Sequence, residues 1–184
     1  MVMPVVPMDV DPETGIWTSD GLPMIYVPRH FFVNNHKAVE SALGNEQYSQ
    51  ILRQAGHESA YYWCKVNSRE HSLDPEATFH HYLKRLSQRG WGQFTIEVLD
   101  IASGYARIRL DHSVFVAEYG AAGRKVCTMF EGWIAGGLDY ISDELKLGYR
   151  FECDETSCVA NGDAECIFEA RLNETAITET AIAG

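Results

Sequence analysis

The segment FECDETSCVANGDAECIFEARL, residues 151–172, constrains the fold more than any other part of the chain. Asn161-Gly162 is a strong turn signal. Leu147, Tyr149, Phe151 and Cys153 alternate with polar residues before it, and Cys166, Phe168, Ala170 and Leu172 alternate after it, so two strands are expected. Cys158 and Cys166 lie equally far from Gly162 on either side, and a hairpin closed about that turn sets the two sulfurs opposite each other. The apolar face of such a hairpin needs a partner.

The partner is read immediately upstream. From Arg124 to about Lys146, Val126, Phe130, Trp133, Ile134, Leu138, Ile141 and Leu145 recur with a 3.6-residue period, which predicts the longest buried helix. Gly132, Gly136 and Gly137 each cost about 1 kcal/mol of helix propensity relative to Ala. They make sense where a backbone or a ligand comes close, or where the helix packs tightly on the sheet. Packed over the hairpin, this helix brings Cys127 from its first turn toward Cys158 and Cys166, with Glu155 just before Cys158.

Thiolates and a carboxylate gathered in this way suit zinc, whereas Mg and Ca would reject the sulfurs. Iron is not excluded by the residues. Taken alone, the spacing of Cys158 and Cys166 is equally compatible with buried free thiols or a disulfide. Cys153, two residues from Glu155 on the same strand face, is an alternative fourth thiolate. Five cysteines is an odd number and no secretory signal is read at the start, which together favour reduced or metal-bound thiols.

The remaining pattern gives an α+β domain with an antiparallel meander sheet packed against several helices. Residues 1–23 read as an irregular arm with a short hairpin around Ile16 and Trp17, turning at Asp20-Gly21, with residues 24–33 as the partner strand. Asn34 and Asn35 read as N-caps of a first helix, Gly44 as a break, and the next helix as ending near Tyr61–Cys64. Asp74-Pro75 starts a third helix that stops at Gly90. Phe94, Ile96 and Val98, the Ser103-Gly104 turn, and Ala106, Ile108 and Leu110 predict a strand pair, with a third strand near Val114–Ala117. The domain is expected over 24–172, with a flexible tail at 173–184.

With 15 Lys+Arg against 26 Asp+Glu, the formal net charge of −11 disfavours nucleic acid and anionic membrane surfaces as partners. No stretch approaches the roughly 20 apolar residues of a membrane span. A cytoplasmic location is expected.

The segment VCTMFEGWIAGGLDYISDELKLGYRFECDETSCVANGDAECIF resembles the 4-vinyl reductase domain family over roughly residues 126–170. That family's signature has a Cys at the head of a Gly-bearing helix, a strand leading to Glu-x2-Cys, a Gly turn, and a Cys followed by an aromatic. Upstream, LDHSVFVAEYG looks like the family's strand end. The resemblance implies the fold type shared by NO-signalling and Golgi-transport ligand-binding domains. In the branch that senses phenol or xylene for bacterial activators the matching residues bind zinc, which implies Cys127, Glu155, Cys158 and Cys166 as ligands here.

Three thiolates and a carboxylate leave a dication with a formal excess of two negative charges and no open position, so the metal reads as structural. The resemblance then implies an apolar pocket for a small hydrophobic or aromatic molecule. Trp91, Phe94, Phe115, Tyr119, Phe130, Trp133 and Tyr140 are candidate walls, and His80, His81 and His112 candidate polar anchors. No dinucleotide fingerprint, P-loop or nucleophile elbow is present. A ligand-binding or sensing module is the leading expectation, as a homodimer, with a protein partner for its output. A reductase or reductase accessory acting on a vinyl-type substrate, or a protein-interaction adaptor, are the alternatives.

Overall fold

The structure, a computed structural model, describes residues 6–173. Asp20 and Gly21 both take positive φ, +51° and +71°. This two-residue turn suits the twist of paired strands. It closes β2 (Trp17–Ser19) directly onto β3 (Leu22–Met24), while β1 (Asp9–Val10) adds on the other side of β2. The partner strand expected over 24–33 therefore ends at Met24. Pro28 stands at the N-cap of α1 (Arg29–Leu43), and Asn34 and Asn35 lie inside that helix rather than capping it. Pro at this boundary has no N–H to lose, so helix follows it at once.

Gly44, at φ +85°, separates α1 from α2 (Asn45–Glu70). α2 runs past its expected end because Ala60, Trp63, Cys64 and Asn67 continue one buried face. α3 (Pro75–Gln88) begins where expected: the Asp74 carboxylate accepts the Ala77 N–H at 2.7 Å, and Pro75 takes the first helical position.

The main sheet is antiparallel throughout, with β4 (Gln93–Asp100), β5 (Tyr105–Asp111), β6 (Phe151–Ser157) and β7 (Cys166–Leu172) in the order β4-β5-β7-β6. The final hairpin thus docks through its second strand and leaves β6 at the edge. β6 starts at Phe151, not at Leu147. The third strand expected near Val114 is instead the short helix α4 (Val114–Tyr119). His112 at φ +57° turns the chain, and the Ser113 hydroxyl accepts the Phe115 N–H at 3.2 Å, a local cap that overrides the strand preference of the valines.

α5 (Thr128–Glu144) lies between α2 and the sheet, and its fully buried Phe130, Ile134, Leu138 and Ile141 join Phe79, Ile108 and Phe168 in the core. A Cβ at Gly132 would stand 2.1 Å from the Arg53 carbonyl oxygen, and one at Gly136 2.2 Å from that of His57. These glycines therefore face α2, not the sheet, and the close approach is backbone to backbone.

α5 also carries two buried carboxylates that its apolar rhythm does not announce. Glu131 accepts the N–H of Glu155 at 2.8 Å, and Asp139 that of Phe151 at 2.7 Å, so both serve the edge strand β6. Unsatisfied edge amides would be costly once buried. On the α2 side, Arg53 pairs with Glu131, and His57 Nε2 lies 2.8 Å from Asp139. α5 is thus bolted to β6 and α2 at the same two points.

Among the described residues no helix is long and apolar enough to cross a membrane. The flexible tail expected at 173–184 lies outside the described residues except for Asn173, whose N–H donates to the Arg150 carbonyl at 2.7 Å.

Candidate functional site

Glu155 and Cys158 stand three residues apart, a spacing that in a regular strand sends side chains to opposite faces. The register between β6 and β7 shifts between Glu155 and Ser157. This bulge inserts one extra residue and restores the inward parity, so that Glu155 and Cys158 both point into the core. A 3-10 turn, Val159–Asn161, and Gly162 at φ +103° then carry the chain round to Cys166. Cys127 arrives from the N-cap position of α5.

The result is one buried group, Cys127, Glu155, Cys158 and Cys166, whose ligating atoms all lie within 4.8 Å of one another. The Cys158 and Cys166 sulfurs are 4.0 Å apart, and all five cysteines are free thiols. Cys153 is buried on the same strand face but stays outside the group.

The surroundings are built for anionic ligands. The Cys127 N–H donates to Glu155 Oε2 at 3.1 Å, and the Val159 N–H to the Cys166 sulfur at 3.4 Å. Ser113 Oγ lies 3.2 Å from the Cys127 sulfur. The Cys158 N–H is held by Asp163 at 2.8 Å, and Glu131 anchors the Glu155 backbone, which fixes both strands around the site.

One atom has no protein partner: Glu155 Oε1, on a fully buried side chain. Buried carboxylate oxygens are rarely left bare, because desolvation without a compensating bond is expensive. Burial, followed by its bond with Cys158, pushes the Glu155 carboxyl up to about 9. Hydrogen bonds from Cys127 and Cys166 hold the Cys158 thiol well below its usual range. Cys127 assists Cys166 in the same way, but Cys158 and burial outweigh it and push Cys166 up to about 12. A cation at the centre would relieve this crowding of acids.

A second group of ligand-like atoms, Asp20, His71 and His81, also falls within 4.8 Å. Asp20 there already receives Arg85 at 2.9 Å and Arg89 at 3.0 Å. Two guanidiniums on one carboxylate leave no net negative charge for a metal ion, so this group is an ion-pair socket.

The expected pocket walls prove to be mostly core. Trp91 and Trp133 have ring centroids 4.9 Å apart, Phe130 sits 5.3 Å from both Phe115 and Trp133, and Phe94 is 5.3 Å from Phe130. Tyr119 hydrogen-bonds Glu40 at 2.8 Å, and Tyr140 is buried beside Tyr61. Only Trp91 of the seven opens onto the larger cavity, a space of about 440 Å³.

This cavity lies between the N-terminal hairpin and the body. Trp17, Met24 and Val27 wall it on one side, and Phe32, Trp91 and Val114 on the other. Phe32 escapes a reading of the sequence because residues 24–33 resemble a strand. The expected histidine anchors are elsewhere. His80 is exposed beside a shallower groove of about 380 Å³ that Phe94 also lines. His81 stacks near Trp63 and His71, its Nε2 buried without a partner, and His112 is exposed at the turn before α4.

The fold and the C-terminal half define a class. Residues 106–172 match the family model of the vinyl-4-reductase domain, and this part of the chain is a domain of that kind. The family described as a domain of unknown function, DUF5943, matches residues 2–97, more than half of the chain, and the protein belongs to that family.

Among solved structures, the phenol-responsive sensory domain of the transcription activator PoxR, determined with phenol, matches at a TM-score of 0.75 and 17% identity, covering 96% of this chain and 92% of that one. A trafficking protein particle complex subunit 3 from Naegleria fowleri, covalently bound to palmitic acid, matches at 0.56 and 15%, covering 79% and 95%. A vinyl-4-reductase family protein from Methanocaldococcus jannaschii matches at 0.55 and 17%, covering 82% and 85%. Among curated proteins none matches.

Proposed function

We propose that this protein is a small-molecule-binding sensory module in which a zinc ion holds the fold and an apolar cavity takes a small hydrophobic or aromatic ligand. The cavity bounded by Trp17, Phe32 and Trp91 carries the reading: at about 440 Å³ it is of the size and apolar character that ligand sites favour. The likeness to the phenol-responsive domain supports the same reading.

Cys127, Glu155, Cys158 and Cys166 would hold the zinc. A tetrahedral shell with Zn–S bonds of about 2.3 Å has S···S edges of about 3.8 Å. The 4.0 Å between Cys158 and Cys166 is of that size, and the bare Glu155 Oε1 supplies the oxygen. When bound, the ion supplies a cross-link from the start of α5 to the β6–β7 hairpin. The four protein ligands close its shell, so the role is structural rather than catalytic.

Ligand occupancy would be passed on through a homodimer or a protein partner. The test is a titration of the protein with phenol, o-cresol and 1-naphthol, followed by tryptophan fluorescence. Saturable one-site binding that weakens at least about tenfold in Trp91→Ala is expected, since truncating a buried aromatic anchor removes most of its contact area. Absence of saturable binding by all three, or full retention of it in Trp91→Ala, would rule out the cavity as the ligand site.

A further inference from the structure

We infer that the β2–β3 hairpin is a gate over the apolar cavity, hinged at residues 25–28 and latched by Asp20 in a basic socket on the body. This rests on the cavity being the ligand site. The first observation is the way the hairpin is attached. Among the described residues, no backbone hydrogen bond joins residues 6–27 to the helices or the main sheet, and the strand pairs β1-β2 and β2-β3 are internal to the arm. The grip of the hairpin on the body is therefore made by side chains.

The polar part of that grip centres on one residue. Asp20, at the tip of the turn, has a fully buried side chain. Its Oδ1 accepts Arg85 at 3.1 Å and 2.9 Å, and its Oδ2 accepts Arg89 at 3.0 Å. His71 Nε2 lies 3.6 Å from Oδ1. The arginines come from α3 and the residue just after it, and the histidine from the end of α2. The Arg89 guanidinium is itself seated 5.8 Å over the Trp63 ring, so the socket is preformed by the body. An ionised carboxylate held this far from water by two guanidiniums is a strong local clamp on a short element.

The second observation is what the hairpin covers. Trp17 and Ser19 of β2 and Met24 of β3 line the cavity, and on the body side Arg89 lies in both the socket and the cavity wall. Latch and lining are thus continuous. Between β3 and α1, residues 25–28 have no regular structure, and Ile25 and Tyr26 are 84% and 81% exposed. Such a link can absorb backbone rotation without breaking packed contacts, which is what a hinge requires. A ligand entering from this side has to pass the hairpin.

Asp20→Asn isolates the latch, because Asn-Gly is a preferred type I′ turn and Asn tolerates positive φ, so the turn survives while the charge is lost. Two readouts are taken on wild type, Asp20→Asn and, from the socket side, Arg85→Gln. Hydrogen exchange is followed at the amides of residues 17–24. Stopped-flow binding uses N-phenyl-1-naphthylamine, a neutral dye that fluoresces in apolar surroundings. Both variants are expected to exchange at the hairpin about tenfold faster or more, with α2 and α5 unchanged, and to take up and release the dye several-fold faster.

Unchanged hairpin exchange overturns the latch whatever the dye does. Faster exchange with unaltered dye rates overturns the gate while leaving the hairpin docking intact. Dye binding to the variants but not to wild type supports a gate that closes tightly. No dye binding to any of the three, together with no binding of the phenols, overturns the cavity as the ligand site and the gate with it.

Discussion

Glu155→Gln should change the stability of this protein in opposite directions with and without metal. In the metal-free protein the buried carboxyl is raised from 4.5 to about 9. Below pH 4.5 the folded and unfolded chains both hold the proton. Between 4.5 and 9 the unfolded chain has released it and the folded chain has not, so stability falls as pH rises, by about 1.4 kcal/mol per unit. From pH 4.5 to pH 7 this amounts to about 3 kcal/mol, and the loss levels off above the folded value. Glutamine does not titrate and can still accept the Cys127 N–H, so in chelator its stability should not show this decline. With zinc the sign reverses: the variant lacks the anionic oxygen and forfeits part of the stabilisation that metal binding adds. Urea unfolding at about pH 5 and about pH 7, in chelator and in zinc, reads all four states through the midpoint at constant slope. If Gln destabilises the protein equally in chelator and in zinc, Glu155 is a packed acid and not a ligand.

Cys158→Ser should abolish stoichiometric zinc, measured by elemental analysis, whereas Cys153→Ser should keep one zinc per chain because Cys153 stands outside the ligand group. Gly136→Ala should lower stability in urea unfolding by about 2 kcal/mol: helix propensity favours Ala by about 1 kcal/mol, but overpacking costs up to about 3 kcal/mol or more, and the opposing atom is backbone only 2.2 Å away. Asp139→Ala leaves the Phe151 N–H and His57 without their shared acceptor and should cost about 1–3 kcal/mol, with faster hydrogen exchange confined to β6 as its signature.

Much of this architecture is legible in the residues themselves. The Asp20-Gly21, Gly44, Asp74-Pro75 and Ser103-Gly104 signals all act locally, and each falls where the chain turns or a helix begins. The 4-vinyl reductase resemblance over the C-terminal half likewise rests on a compact run of residues. What stays hidden depends on tertiary context. Phe32 reads as strand because residues 24–33 are rich in β-formers, and only the tight turn at Asp20 makes clear that the strand is already complete at Met24. The Val114 segment reads as strand because nothing local shows that Ser113 will cap a helix.

The α5 glycines announce a close approach but not which surface approaches. Their partner, α2, is some eighty residues upstream, and no periodicity encodes that pairing. Glu131 and Asp139 on an otherwise apolar helix are the available signal for buried acids with a task. Interpreting them requires knowing that β6 is an edge strand whose amides need acceptors. The aromatic residues are visible in the sequence, but whether a ring packs against its neighbours or faces a void depends on hairpin docking, which composition does not specify.

Native mass spectrometry of the protein purified without added metal, before and after addition of a phenol, most directly tests the division of labour between a structural metal and an apolar ligand cavity. The expected result is one zinc ion per chain, lost in Cys158→Ser, and one small molecule per chain that leaves in Trp91→Ala while the zinc remains. A chain that carries no metal, or a ligand that departs whenever the zinc does even though Trp91 is intact, would contradict it.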